Sequence, residues 1–293
     1  MSERSWLFIP GDSERKLAKA ERCGADVVIL DLEDSVAPEQ KAAARGRVGG
    51  FLAAHAGRRA TQLWVRINPL GTAAAMADLA AVIGARPDGI VQPKTRSPAD
   101  VIRLGQDLED LERRHGLAPG SIRILPIATE TPEALFAMGG FGQCGSRLAG
   151  LTWGAEDLSV AIGASANQEA SGAWTAPYQL ARSLCLFGAA AAGVAAIDTL
   201  HIDYRDAAGL RASCAAARRD GFAGKLAIHP DQVAVINECF VPSAAELAHA
   251  QRLVALFAAN PGSAALSLDG RMVDLPHLRQ AEKALARAAG LKL

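Results

Sequence analysis

Short, almost unbroken apolar runs alternate along the whole chain with longer stretches of helical period. The pattern predicts strands at residues 5–10, 26–32, 62–67, 89–94, 121–128, 147–153, 196–202 and 224–229. Runs so rich in Val, Ile and Leu suit strands that are covered on both faces. Between them lie mixed polar and apolar segments, such as 100–115 and 206–220, that read as helices. About eight strand–helix units in succession predict a parallel α/β fold, most simply a (β/α)8 TIM barrel. A doubly wound open sheet is the competing architecture, and no GxGxxG or P-loop follows the first strand to favour it.

The barrel is expected to occupy residues 1–240, with a polar insertion at 163–177 after the sixth strand. Residues 241–293 fall outside the eight units. They read as a helix over 243–258, a hairpin in which SAALSL and RMVDL flank Asp269-Gly270, and a helix after Pro276. Such an extension predicts a lid over the barrel mouth or an arm onto a neighbouring subunit.

Composition narrows the function classes. Half of the 293 residues are hydrophobic and 21% are charged, which fits a packed globular protein and excludes disorder. Lys+Arg and Asp+Glu balance at 31 each, against general nucleic-acid or membrane-surface binding and mildly in favour of self-association. The longest apolar run, 184–197, falls short of the roughly 20 residues that cross a bilayer. Five scattered cysteines without CxxC spacing read as reduced thiols, and the N-terminus lacks an apolar signal core. A cytoplasmic protein is expected.

In a barrel of this kind the chemistry belongs at the C-terminal strand ends. Those ends carry Asp31, Glu33 and Asp34, then Arg66 and Asn68, Lys94, Glu130, Glu156 and Asp157, Asp203 and His229. Any single acid among them reads as a helix cap or ion-pair partner, and Asp157 and Asp203 stand where N-caps belong. Several acids with one Arg and one Lys at one mouth point instead to a site. Two or three carboxylates without His or Cys suit Mg²⁺. A metal with open positions can chelate an oxo acid, and Arg66 can clamp the acid's carboxylate through paired hydrogen bonds.

The motifs then become specific. RSWLFIPG (4–11), DLEDSV (31–36), RINP (66–69), QPK (92–94), ATET (128–131), GAEDL (154–158), GKLAIHP (224–230) and DGRMVDLPHLRQAE (269–282) follow one another in register. Over essentially its whole length the chain resembles the citrate lyase β-subunit-like, CoA-ester lyase family of the HpcH/HpaI aldolase superfamily. The resemblance implies Mg²⁺ held by Glu130 and Asp157, with Arg66 on the oxo-acid carboxylate. It implies that Asp274 is an acid/base carboxylate supplied by the lid of an adjoining subunit, and that Lys19 contacts a CoA thioester. Asp31, Glu33, Asp34 and Lys94 would organise these groups, and His229 would serve the turn it occupies. Trp153, ahead of GAEDL, is bulkier than the resemblance leads one to expect, and implies a reshaped pocket.

The function implied is Mg²⁺-dependent cleavage of a 3-hydroxyacyl-CoA of malyl, citramalyl or citryl type. The products would be acetyl-CoA or a homologue and a small 2-oxo acid, made by a homotrimer or hexamer. The alternatives are an acyl-carrier-dependent citrate lyase β subunit and a malyl-CoA-type thioesterase. A Schiff-base aldolase using Lys94 is a further rival.

Overall fold

A computed structural model describes residues 3–57 and 60–290. The first two residues of the expected barrel and the last three of the expected extension lie outside that range. The chain divides into two compact units, one spanning 3–237 and the other beginning at 238.

The first unit is a ring of eight parallel strands: β1 (Ser5–Pro10), β2 (Val27–Asp31), β3 (Gln62–Arg66), β4 (Gly89–Gln92), β5 (Arg123–Pro126), β6 (Gly150–Thr152), β7 (Ala195–Asp198) and β8 (Gly224–Ala227). Seven neighbouring pairs form continuous ladders in the order β5-β4-β3-β2-β1-β8-β7-β6. The ring closes between β5 and β6 through isolated parallel bridges, Ile124 to Leu148 and Ile127 to Thr152. At that seam the Ala149 and Ala128 amides donate to the Ile124 and Thr152 carbonyls, each at 2.8 Å. The fold is therefore the expected TIM barrel.

Alternate strand residues fill the barrel, among them Trp6, Val27, Ile29, Trp64, Val91, Leu125, Ile197 and Leu226. Trp6 and Trp64 meet edge to face at 5.0 Å. Trp64 fits only because its neighbour on β4 is Gly89, where a Cβ would lie 2.4 Å from the indole ring. On the helical layer Glu112 is buried beneath Arg147, whose Nη1 and Nη2 donate to it at 2.9 and 2.6 Å.

Most strands stop short of their predicted ends. Lys94 turns out of line with β4 at a left-handed φ of 49°. The N-cap readings need correction. Asp157 lies inside the helix Glu156–Ile162, whose N-cap is Ala155. The helix Ala207–Asp220 is capped by Asp206, not Asp203, through a 2.8 Å bond from the Gly209 amide.

In the second unit a Ser243–Glu246 capping box opens the helix Ala244–Ala259. The hairpin of β9 (Ala265–Leu268) and β10 (Arg271–Asp274) turns at Asp269 and Gly270, both at positive φ. Both residues of a type I′ turn need that conformation, so Asp-Gly announces it. The helix Leu275–Gly290 follows, and Leu253, Phe257, Val273 and Ala281 bury one another. Among the described residues no helix is long and apolar enough to cross a membrane.

Candidate active site

The parallel register sets Asp31 on β2 beside Arg66 on β3. Arg66 grips Asp31 with a two-pronged bond, Nε to Oδ1 at 2.7 Å and Nη2 to Oδ2 at 2.6 Å. Its third nitrogen faces Glu33 Oε2 at 2.9 Å without hydrogen-bond alignment, and the guanidinium lies 4.8 Å above the Phe8 ring. Burial works against ionised Asp31, but the Arg66 bonds outweigh it and hold the carboxyl below the usual range. Burial likewise opposes the Arg66 charge, and Asp31, Glu33 and Glu130 more than restore it.

Lys94 knits the remaining acids together. Its Nζ donates to Glu33 Oε1 at 2.5 Å and lies 3.4 Å from Asp34 and 3.5 Å from Asp157. Its backbone amide donates to Glu130 Oε2 at 2.6 Å. Burial pushes Glu33 up to about 7, against Arg66 and Lys94. Burial pushes Glu130 up to about 8 against the Lys94 amide, and its like-charged neighbours Glu33 and Asp157 add to the rise. Gly154 makes room for this carboxylate, since a Cβ there would sit 3.2 Å from Glu130 Oε1.

Five carboxylates thus share two cations, and among the described residues the buried Glu130 forms no ion pair with a cationic side chain of its own. That imbalance suits a divalent cation. Among the described residues no cluster of three or more His, Cys, Asp or Glu forms a closed cage. Mg²⁺ needs none, because it keeps several waters and takes only one or two protein carboxylates. Glu130 with the part-exposed Asp157 fits that demand.

Asp31, Asp34, Arg66, Glu130 and Asp157 line a cavity of about 390 Å³. The rest of its lining is largely apolar, with Phe8, Ile127, Trp153, Trp174, Leu226 and Ile228. A neighbouring cavity of about 300 Å³ shares Phe8, Pro10 and Ile228 with it, and is lined by Arg15, Lys16, Lys19 and His229. His229 stacks on Tyr204 at 4.5 Å and receives the Asp231 amide at 3.3 Å. Asp274 belongs to the C-terminal unit, where its Oδ1 bonds His277 Nδ1 at 2.5 Å and its acidity is raised by that contact.

The structure therefore gathers Asp31, Glu33, Asp34, Arg66, Lys94, Glu130 and Asp157 at one mouth, and sets Lys19 in the adjoining cavity. Sequence reasoning missed the buried set beneath the apolar wall. Trp153 Nε1 donates to Asp198 Oδ1 at 2.7 Å, and Lys225 and Arg182 hold the same carboxylate at 3.0 and 3.1 Å. The available signal was a charge inside two apolar strands, Asp198 on β7 and Lys225 on β8.

The sequence model of the HpcH/HpaI aldolase/citrate lyase family matches residues 4–230, and that of the C-C bond lyases of the TIM-barrel fold matches 187–291. The (3S)-malyl-CoA thioesterase of Cereibacter sphaeroides is 34% identical over 98% of this chain and 95% of its own. The mitochondrial citramalyl-CoA lyase of Rattus norvegicus is 32% identical over 99% of this chain and 87% of its own. CitE of Mycobacterium tuberculosis, crystallised with magnesium, acetoacetate and coenzyme A, superposes with a TM-score of 0.81 at 35% identity, covering 98% of each chain.

Proposed function

The chain belongs to the HpcH/HpaI aldolase/citrate lyase family and is a carbon–carbon lyase; from that premise we propose that it cleaves a 3-hydroxyacyl-CoA into a 2-oxo acid and a shorter acyl-CoA, with Mg²⁺ at Glu130 and Asp157. The observation that carries the reading is Glu130, a buried carboxylate beside Asp157 that, among the described residues, forms no ion pair with a cationic side chain of its own. When bound, the ion supplies Lewis acidity toward the hydroxyl or keto oxygen of the substrate.

The chain's own residues supply the rest. Arg66 binds the carboxylate of the oxo-acid half, and Asp31 fixes its plane from behind. Glu33, Asp34 and Lys94 keep Glu130 and Asp157 in place. The apolar wall of the cavity excludes water from the bond that breaks, so that an enolate formed there is protonated by a positioned group rather than by solvent. In this reading that group is Asp274, provided by the C-terminal unit of an adjoining copy in a homotrimer or hexamer of the cytoplasm. Lys19, with Arg15 and Lys16, meets the phosphates of CoA in the adjoining cavity.

Likeness to a malyl-CoA thioesterase favours a second reading, in which the thioester is hydrolysed after or instead of the carbon–carbon step. One assay separates the two. Malyl-, citramalyl- and citryl-CoA are supplied with Mg²⁺ or with EDTA, and free 2-oxo acid and free CoA are both measured. Metal-dependent oxo-acid release without free CoA supports the lyase alone, release of both supports hydrolysis after the carbon–carbon step, CoA release without oxo acid supports hydrolysis instead of it, and equal release in EDTA removes the metal from the reaction.

A further inference from the structure

We propose that Trp153 is the specificity-determining wall of the reaction cavity, setting the largest group that the bound 2-oxo acid can carry beside its keto carbon. This inference rests on the lyase reading of the site.

Trp153 has no solvent exposure, yet it lines the 390 Å³ cavity. It directly precedes Gly154, whose amide and carbonyl form a reciprocal pair of 3.1 Å bonds with the Thr129 hydroxyl, and Thr129 directly precedes Glu130. The root of the indole is thereby tied to the backbone that carries the metal carboxylate. The ring itself is locked from below. Its Nε1–H donates to Asp198, and Asp198 is in turn held by Lys225 and Arg182. Arg182 is anchored again by Asp220 at 2.7 Å and lies 4.5 Å over the Phe222 ring.

Swinging the indole aside would strip a buried carboxylate of one of its donors, and such networks resist partial loss. From the other side Trp174 meets the ring edge to face at 5.0 Å. A wall held on both sides cannot yield to a longer substrate, and a rigid apolar wall discriminates by size. A residue that only packed the core would govern stability and leave the order of ligand preference alone.

The test uses the full chain loaded with Mg²⁺ and titrates glyoxylate, pyruvate, 2-oxobutyrate and 2-oxovalerate by calorimetry. The unaltered protein should lose about tenfold in affinity for each methylene beyond its limit. In Trp153→Leu the limit should move outward, so that 2-oxovalerate gains at least about tenfold relative to pyruvate while Mg²⁺ affinity is kept. Trp153→Phe should shift the order in the same direction by less, and it decides the matter where Trp153→Leu does not fold. One order of preference shared by the unaltered protein and the variants overturns the inference, as does equal binding of all four acids. Where no 2-oxo acid binds the Mg²⁺-loaded protein, the lyase reading itself falls and takes this inference with it.

Discussion

Lys94 reaches Glu130 through its backbone and Asp157 through its side chain, so one residue touches both carboxylates proposed for the metal. It does so from a left-handed backbone conformation, which costs a non-glycine residue about 1 kcal/mol or more and persists where surrounding bonds over-determine it. The two contacts have opposite meanings. The amide orients Glu130, whereas the ammonium competes with any cation for Asp157. Lys94→Met, which keeps the amide and loses the charge, should bind Mg²⁺ about threefold to tenfold more tightly. Calorimetry at fixed pH measures this, and weaker binding would show that the ammonium supports the ion instead.

The pH dependence of the metal-free protein has a definite sign. Glu130 moves from the ordinary 4.5 to about 8 and Glu33 to about 7, so between 4.5 and those values the folded state holds protons that the unfolded state has released. Stability should therefore fall as pH rises through that window. Mg²⁺ requires the ionised carboxylate, so its affinity should climb over the same range and level off above about 8. Melting temperatures from pH 5 to 9, with and without Mg²⁺, test both trends; Glu130→Gln should abolish the Mg²⁺ trend and reduce the metal-free one to the share of Glu33.

Arg66→Lys should keep a positive charge and lose the fork. Lys cannot hold Asp31 through two parallel bonds and still keep an in-plane N–H for a substrate carboxylate. Affinity for pyruvate in saturating Mg²⁺ should drop by about tenfold to a hundredfold, with Mg²⁺ affinity changed much less. An unchanged pyruvate affinity would take Arg66 out of the oxo-acid site.

Glu130→Gln and Asp157→Asn should each abolish measurable Mg²⁺ binding while leaving circular dichroism unaltered. Glu130→Gln should also raise the melting temperature at pH 8, because it removes a buried charge that the fold disfavours. A variant that retains Mg²⁺ binding moves the metal elsewhere.

Far from the mouth, Arg147→Ala should cost about 3–5 kcal/mol, since it leaves the Glu112 carboxylate buried without its cation. Chemical denaturation reads the loss. Mg²⁺ affinity should not change, which separates a structural charge pair from the functional ones.

Much of this arrangement was legible in the residues. Eight apolar runs foretell eight parallel strands, and Asp269-Gly270 foretells the hairpin, because each feature is set by local pattern or turn chemistry. Asp31 and Arg66 could be placed at one mouth, because parallel strands align their C-terminal ends. Their two-pronged bond could not be read, since it depends on register. Trp153 and Asp198 lie 45 positions apart and meet only because β6 and β7 are neighbours. Strand ends erred for a similar reason. The fourth predicted strand runs on to Lys94, but that residue turns out of line and its amide donates to the Glu130 carboxylate.

The seam between β5 and β6 is the one place where isolated bridges stand in for a ladder. Glu130 follows the first of these strands and Asp157 the second, so an ion gripped by both would act as a clasp across the barrel's most thinly stitched join. Catalytic cofactor and mechanical fastener would then be one atom. Amide exchange at Ala128 and Ala149, whose hydrogens span the join, would report how far the clasp is closed.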